Sequence, residues 1–89
     1  MSGYISYTSF DYVSCRKVSV IASFDSDGHI RPLYVRIGES TCKVLSSISK
    51  NEFRFGMEYN CTIADGAMKR HLLLTYHTRE QLWTIPDET

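Results

Sequence analysis

The chain has no closely spaced pair of cysteines. Cys15, Cys42 and Cys61 are an odd number without C-x-x-C spacing, which argues against a disulfide framework or a zinc knuckle and leaves reduced thiols. It has no excess charge of either sign. Ten Lys and Arg balance ten Asp and Glu, with five basic against four acidic residues in 1–44 and five against six in 45–89. At the level of composition, no electrostatic footprint for nucleic acid or an anionic membrane stands out. No apolar run approaches transmembrane length, and the opening Met-Ser-Gly-Tyr-Ile-Ser-Tyr-Thr-Ser-Phe lacks the basic and continuous apolar regions of a signal peptide. The expected location is therefore the cytoplasm, with no membrane partner. A G-x-S-x-G elbow, a Cys-His signature and a paired-carboxylate pattern are also missing. A domain this small offers little room for a closed pocket, so no enzyme activity, catalytic residue or cofactor is expected.

What is present is a globular composition. Hydrophobic residues make up 43% of the 89 positions, with six Tyr, four Phe and one Trp, outside the polar, highly charged class of disordered chains. The length suits one domain. Residues 1–14, with Tyr4, Tyr7, Phe10 and Tyr12 at no clean period, read as an N-terminal arm, either loosely attached or serving as an edge strand or partner-binding segment. Residues 15–89 form the domain proper.

That domain is organised by hairpins. Residues 17–37 are two apolar-polar alternating runs separated by Asp27-Gly28, the residue pair that supplies positive φ to a tight turn. A two-residue loop there sets Val18 opposite Ile37, Val20 opposite Val35 and Ala22 opposite Leu33, all facing one side. Pro32, without an N–H, marks part of the second strand as an edge. Gly38-Glu39-Ser40-Thr41 turns into a short strand at Cys42-Lys43-Val44, Leu45 breaks the alternation as a bulge or bend, and residues 46–51 read as a mobile loop or one helical turn.

Phe53, Phe55, Met57, Tyr59, Cys61 and Ile63 alternate over eleven residues up to Asp65-Gly66. Turning there pairs Ile63 with Met68, Tyr59 with Leu72, Met57 with Leu74 and Phe55 with Tyr76. A turn at Thr78-Arg79-Glu80-Gln81 then sets Tyr76 opposite Trp83 and Leu74 opposite Ile85. Pro86 and the acidic Asp87-Glu88 end the last strand and discourage pairing at its edge. Six strands in meander order with one apolar face must curl up or stack to bury it. The expected fold is all-β, a small six-stranded antiparallel barrel, SH3-like or OB-like. The alternative is a split β-sandwich, with any short helix confined to residues 2–14 or 45–52.

Candidate chemistry is sparse. Asp25-Ser26-Asp27-Gly28 resembles the opening of a calcium loop, but Ile30 stands where Gly is needed and Arg36 where a bidentate acid is needed. His71 and His77, six residues apart on one strand face, are separated by roughly 20 Å and cannot share a metal. His29 sits at the first turn, and Cys42 and Cys61 point inward. No metal site is expected. Cys15 has the adjacent cations, Arg16 and Lys17, expected beside a reactive thiol, yet lacks a partner base. Asn60-Cys61-Thr62 matches a glycosylation sequon, which has no use in the cytoplasm.

The outward positions Tyr34, Arg36, Arg54, His71, Leu73 and His77 are the candidate binding surface, with Arg54 opposite His77 and Asn60 opposite His71. Aromatics interleaved with Arg and His suit a single-stranded nucleic-acid platform, and the same mixture is also an ordinary solvated strand face. The run Asp27-Gly28-x-Ile-Arg-Pro-x-x-Val-Arg-Ile37 followed by Lys43-Val44 resembles small uncharacterised bacterial β-domains with a D-G-x-I-x-P hairpin ahead of a short K-V strand. The resemblance covers residues 18–45. It implies a bacterial or mobile-element origin and a barrel, and it transfers no catalytic or binding residue. The expected function is a non-enzymatic interaction module that binds a protein partner, or its own copy, through a strand edge. Single-stranded nucleic acid on the Tyr34, Arg36, Arg54 and His77 face is the alternative.

Overall fold

The computed structural model describes residues 15–87. The expectations for residues 1–14, an arm or a helix, lie outside the described residues. Six strands follow one another: β1 Cys15–Phe24, β2 Ile30–Ile37, β3 Ser40–Phe53, β4 Gly56–Asp65, β5 Met68–His77 and β6 Leu82–Pro86. Each pairs antiparallel with its neighbours in the chain, and β1 pairs with β6, so the wall closes into a barrel. The small six-stranded barrel expected from the sequence is what forms, and the described residues contain no helix. None is therefore long and apolar enough to cross a membrane. Connections alternate between the two ends of the barrel. Residues 25–29, Arg54 with Phe55, and residues 78–81 close one end.

The first hairpin keeps the expected register from Ser19↔Arg36 through Val20↔Val35 to Ile21↔Tyr34, then slips at Leu33, leaving Ala22 opposite Pro32 rather than Leu33. The loop is correspondingly longer than two residues. Gly28 N–H donates to the Asp25 carbonyl at 3.0 Å and Asp25 N–H to the His29 carbonyl at 3.0 Å. With Gly28 at φ 86°, this is a type I turn followed by a left-handed residue, the usual three-residue hairpin loop.

In the second hairpin the turn residues are Gly66 and Ala67, not Asp65 and Gly66. Asp65 pairs with Met68, Tyr59 with Leu74 and Met57 with Tyr76, two positions from the expected partners. Gly66 alone carries a positive φ, 64°, so the turn needs glycine only at its first central position, as type II′ does. Because side chains alternate with period two, a two-residue shift leaves every side chain on its expected face.

The larger departure is in β3. Residues 46–51, expected as a loop or helical turn, continue as strand to Phe53 and pair with β4 except at Lys50, a bulge like the one at the expected Leu45. The chain turns at Arg54 and Phe55, which interrupts the expected eleven-residue alternation. The last strand is not an edge either. Pro86 ends it, but Trp83 pairs with Tyr76 on one side and with Val18 on the other.

Val35, Cys42, Tyr59, Cys61, Ile63, Leu72, Leu74, Trp83 and Ile85 fill the interior. Trp83 is central. Its ring centroid lies 4.8 Å from that of Tyr76 and 6.0 Å from that of Tyr59, and Phe24 meets Tyr76 edge-on at 6.4 Å. Burying each large side chain contributes about 1.5–3 kcal/mol, so a β6 of only five residues closes the wall by carrying two of the largest buried groups, Trp83 and Ile85.

Candidate functional site

The wall has one long weakness. β2 and β3 pair only from Tyr34↔Lys43 to Ile37↔Ser40, although β2 begins at Ile30 and β3 runs on to Phe53. The cause is on β3. Its paired half turns Cys42 and Val44 inward, whereas beyond the Leu45 bulge the inward positions, opposite Cys61 and Tyr59, are Ser47 and Ser49. Serines offer β2 nothing apolar to close upon, so residues 30–33 stand apart. The resulting cleft, about 540 Å³, is lined by β2 residues 30–33, by Val44, Leu45, Ser46, Ser47, Ser49 and Tyr59, and by Ser23, Asp25 and His29 at its mouth. Leu45 is 44% exposed on its rim. Backbone groups on the facing edges have no strand partner across the gap, the condition under which another strand can add. The edge expected at Pro32 lies here.

Of the titratable residues lining the cleft, Asp25, His29, Arg31 and Tyr59, the first two serve the turn. Asp25 Oδ1 accepts N–H donors from Asp27 at 2.9 Å and His29 at 2.8 Å, and its Oδ2 faces His29 Nδ1 at 3.3 Å. These bonds, the His29 amide foremost, hold the Asp25 carboxyl below its ordinary value. Asp25, Asp27 and His29 place one ligand atom each within 4.8 Å of one another, but two donors already occupy Asp25 Oδ1. Exposed acids that organise their own loop account for the cluster.

The five candidate residues do not share a face. Tyr34 points outward from β2 between Ile21 and Lys43, and Arg36 is exposed between Ser19 and Thr41. His71 is exposed on β5, opposite Thr62 rather than Asn60, with its Nδ1 3.5 Å from Thr62 Oγ1. In the barrel order, β2 and β5 are opposite walls. Arg54 sits in the β3–β4 turn, so Gly56 takes its expected place opposite His77.

His77 was expected on the surface and is 4% exposed, its Nε2 2.8 Å from Thr84 Oγ1. It has the outward parity but lines a shallow outer groove together with Phe53, Glu58, Leu73, Thr75, Thr84, Pro86 and Cys15. Burial lowers its pKa, and the nearby Glu80 partly opposes that. Inside the barrel, desolvation raises the Cys42 thiol and the Tyr59 hydroxyl, and pushes Cys61 up to about 11. These are packed, inert groups.

Two features escaped the sequence reading. The full seam follows from the serine positions on β3, and its sequence signals were the loss of alternation after Val44 and the edge expected at Pro32. The other is a cluster at one end of the barrel, where Arg54 and Arg79 lie 5.3 and 4.8 Å from the Phe55 ring centroid. No spacing rule connects residues so far apart in the chain. No family model matches the chain, and neither a curated protein nor a solved structure matches it.

Proposed function

We propose that the protein is a non-enzymatic interaction module that takes an extended segment of a protein partner into the β2–β3 seam by strand addition. The observation that carries this reading is the halt of pairing at Tyr34↔Lys43 while both strands continue. Unpaired edges supply main-chain hydrogen bonds, and pockets beside them read alternate side chains of the guest. Leu33 and Leu45 offer apolar contact, and Ser46, Ser47 and Ser49 offer hydroxyls. The three free thiols favour a reducing compartment such as the cytoplasm.

The test is selection of binders from a displayed library of extended peptides, followed by amide chemical-shift mapping. Shifts confined to residues 30–33 and 44–49, lost in Leu45→Lys, support strand addition. Selection of no peptide, or of peptides that shift another surface, overturns it.

A further inference from the structure

At the end of the barrel closed by Arg54 and Phe55, two connections are tied together. The Thr78 amide of the β5–β6 loop donates to the Phe55 carbonyl at 2.9 Å, and Arg79 of that loop and Arg54 of the turn both approach the one Phe55 ring, at 4.8 and 5.3 Å. Two like charges on one ring would ordinarily be relieved by a carboxylate, as Arg70 is by Asp65 at 3.0 Å. Among the described residues, neither Arg54 nor Arg79 has an ion-pair partner.

Beside them Phe53 lies across Gly56. A Cβ on Gly56 would come within 2.6 Å of the Phe53 ring, so the ring rests against a residue that has no side chain. Phe53 is 47% exposed and Phe55 42%. Exposed aromatics beside guanidiniums without carboxylates form a surface with stacking area on Phe53 and anion-binding N–H groups that no carboxylate among the described residues engages.

We propose that this end of the barrel binds single-stranded nucleic acid, with a base stacked on Phe53 and phosphates held by Arg54 and Arg79. Sequence-tolerant stacking on aromatics, with cations tracking the backbone, is how non-specific single-strand sites work. Glu52, Glu58 and Glu80 lie close in the chain to these groups, and Glu58 is hydrogen-bonded to Asn51 at 3.2 Å. They confine phosphate contact to the two arginines, which predicts a modest salt dependence. The site lies at the barrel end that residues 25–29 also close, but none of Phe53, Arg54, Phe55 and Arg79 lines the seam cleft, so it does not depend on the seam's function.

Fluorescence anisotropy with a labelled oligothymidine of about fifteen nucleotides, within the span such sites cover, provides the test. Binding at low salt should weaken with a log-log salt slope of about −1.4, the value for two phosphates on a single strand. Arg54→Ala and Arg79→Ala should each bring the slope to about −0.7. Phe53→Leu should weaken binding about 5- to 150-fold at an unchanged slope, the equivalent of one lost base stack. Arg36→Ala, at the far end of β2, should change nothing, and a melting curve on each variant confirms its fold. No anisotropy change at low salt overturns the proposal. So does binding that responds equally to Arg36→Ala and Arg54→Ala, or binding that survives Phe53→Leu in full and therefore reads charge alone.

Discussion

The β4–β5 seam and the β2–β3 seam are made of the same material and behave differently. The first holds ten consecutive pairs from Gly56↔His77 to Asp65↔Met68 without a bulge, and turns Tyr59, Cys61, Ile63, Leu72 and Leu74 into the core. The second holds four pairs and then parts. Hydrogen-bonding capacity does not distinguish them, since every non-proline residue carries the same backbone groups. The difference lies in what stands on the inner face: the facing apolar pairs Met57 with Tyr76, Tyr59 with Leu74 and Cys61 with Leu72 in one, and Ser47 with Ser49 on one lip of the other. Pairing between β2 and β3 stops where the inner face of β3 passes from apolar side chains to serines, and the edge there is left unpaired.

The largest expected effect tests that contrast directly. Leu74 is fully buried, and Leu74→Ala should cost about 2–5 kcal/mol in urea unfolding. Leu33, half-buried on the lip of the cleft, should cost at most about 1 kcal/mol when truncated to Ala. Equal losses would mean that the seam is sealed by side-chain packing after all. Hydrogen exchange sharpens the same point, with the amides of Ile30, Arg31 and Leu33 exchanging through local opening well before those of Cys61 and Ile63.

Gly56→Ala comes next. A methyl group there meets the Phe53 ring and, at 2.9 Å, the Tyr76 carbonyl. The ring can swing away but the backbone carbonyl cannot, so a loss of about 1–3 kcal/mol is expected. Combining it with Phe53→Ala should recover only the part owed to the ring. Full recovery in the double variant would show that Tyr76 plays no part in the clash.

How far the sequence revealed these regions depends on which signal each used. Faces were legible, because alternation survives errors of two residues: Tyr59, Cys61 and Ile63 are inward in the barrel as in the sequence reading, although their partners are shifted. The two Asp-Gly turns and the glycine-free turn over residues 78–81, which sets Tyr76 opposite Trp83, were legible, although Asp65 proved to flank its turn rather than belong to it. Arg54 and Phe55 turn without glycine, and neither adopts positive φ, so nothing in their chemistry announced it. Residues 46–51 carry the Ser, Lys and Asn of a loop, yet are held extended by pairing with β4, a tertiary effect that overrides local preference. The candidate surface fared worst, because barrel closure puts Tyr34 and His71 on opposite walls and the outer groove buries His77.

The smaller effects are electrostatic and separate the two regions by pH. His77, on the well-paired β5, has its pKa lowered by burial, so the unfolded chain binds its proton more readily. Stability should therefore be level above the ordinary histidine value of about 6.5 and fall as pH drops below it. His77→Phe should flatten that part of the melting-temperature profile. Asp25, at the mouth of the open seam, is shifted in the lowering direction by the His29 and Asp27 amides, so its contribution is present above the ordinary carboxylate value of about 4 and is lost only as pH falls through its lower folded value. Being exposed, it should produce the weaker of the two inflections, and Asp25→Asn should remove it while leaving the His77 step in place. If Asp25→Asn instead removed the step near neutral pH, the turn and the buried histidine would be coupled, and the contrast between a sealed and an open half would have to be redrawn around His29.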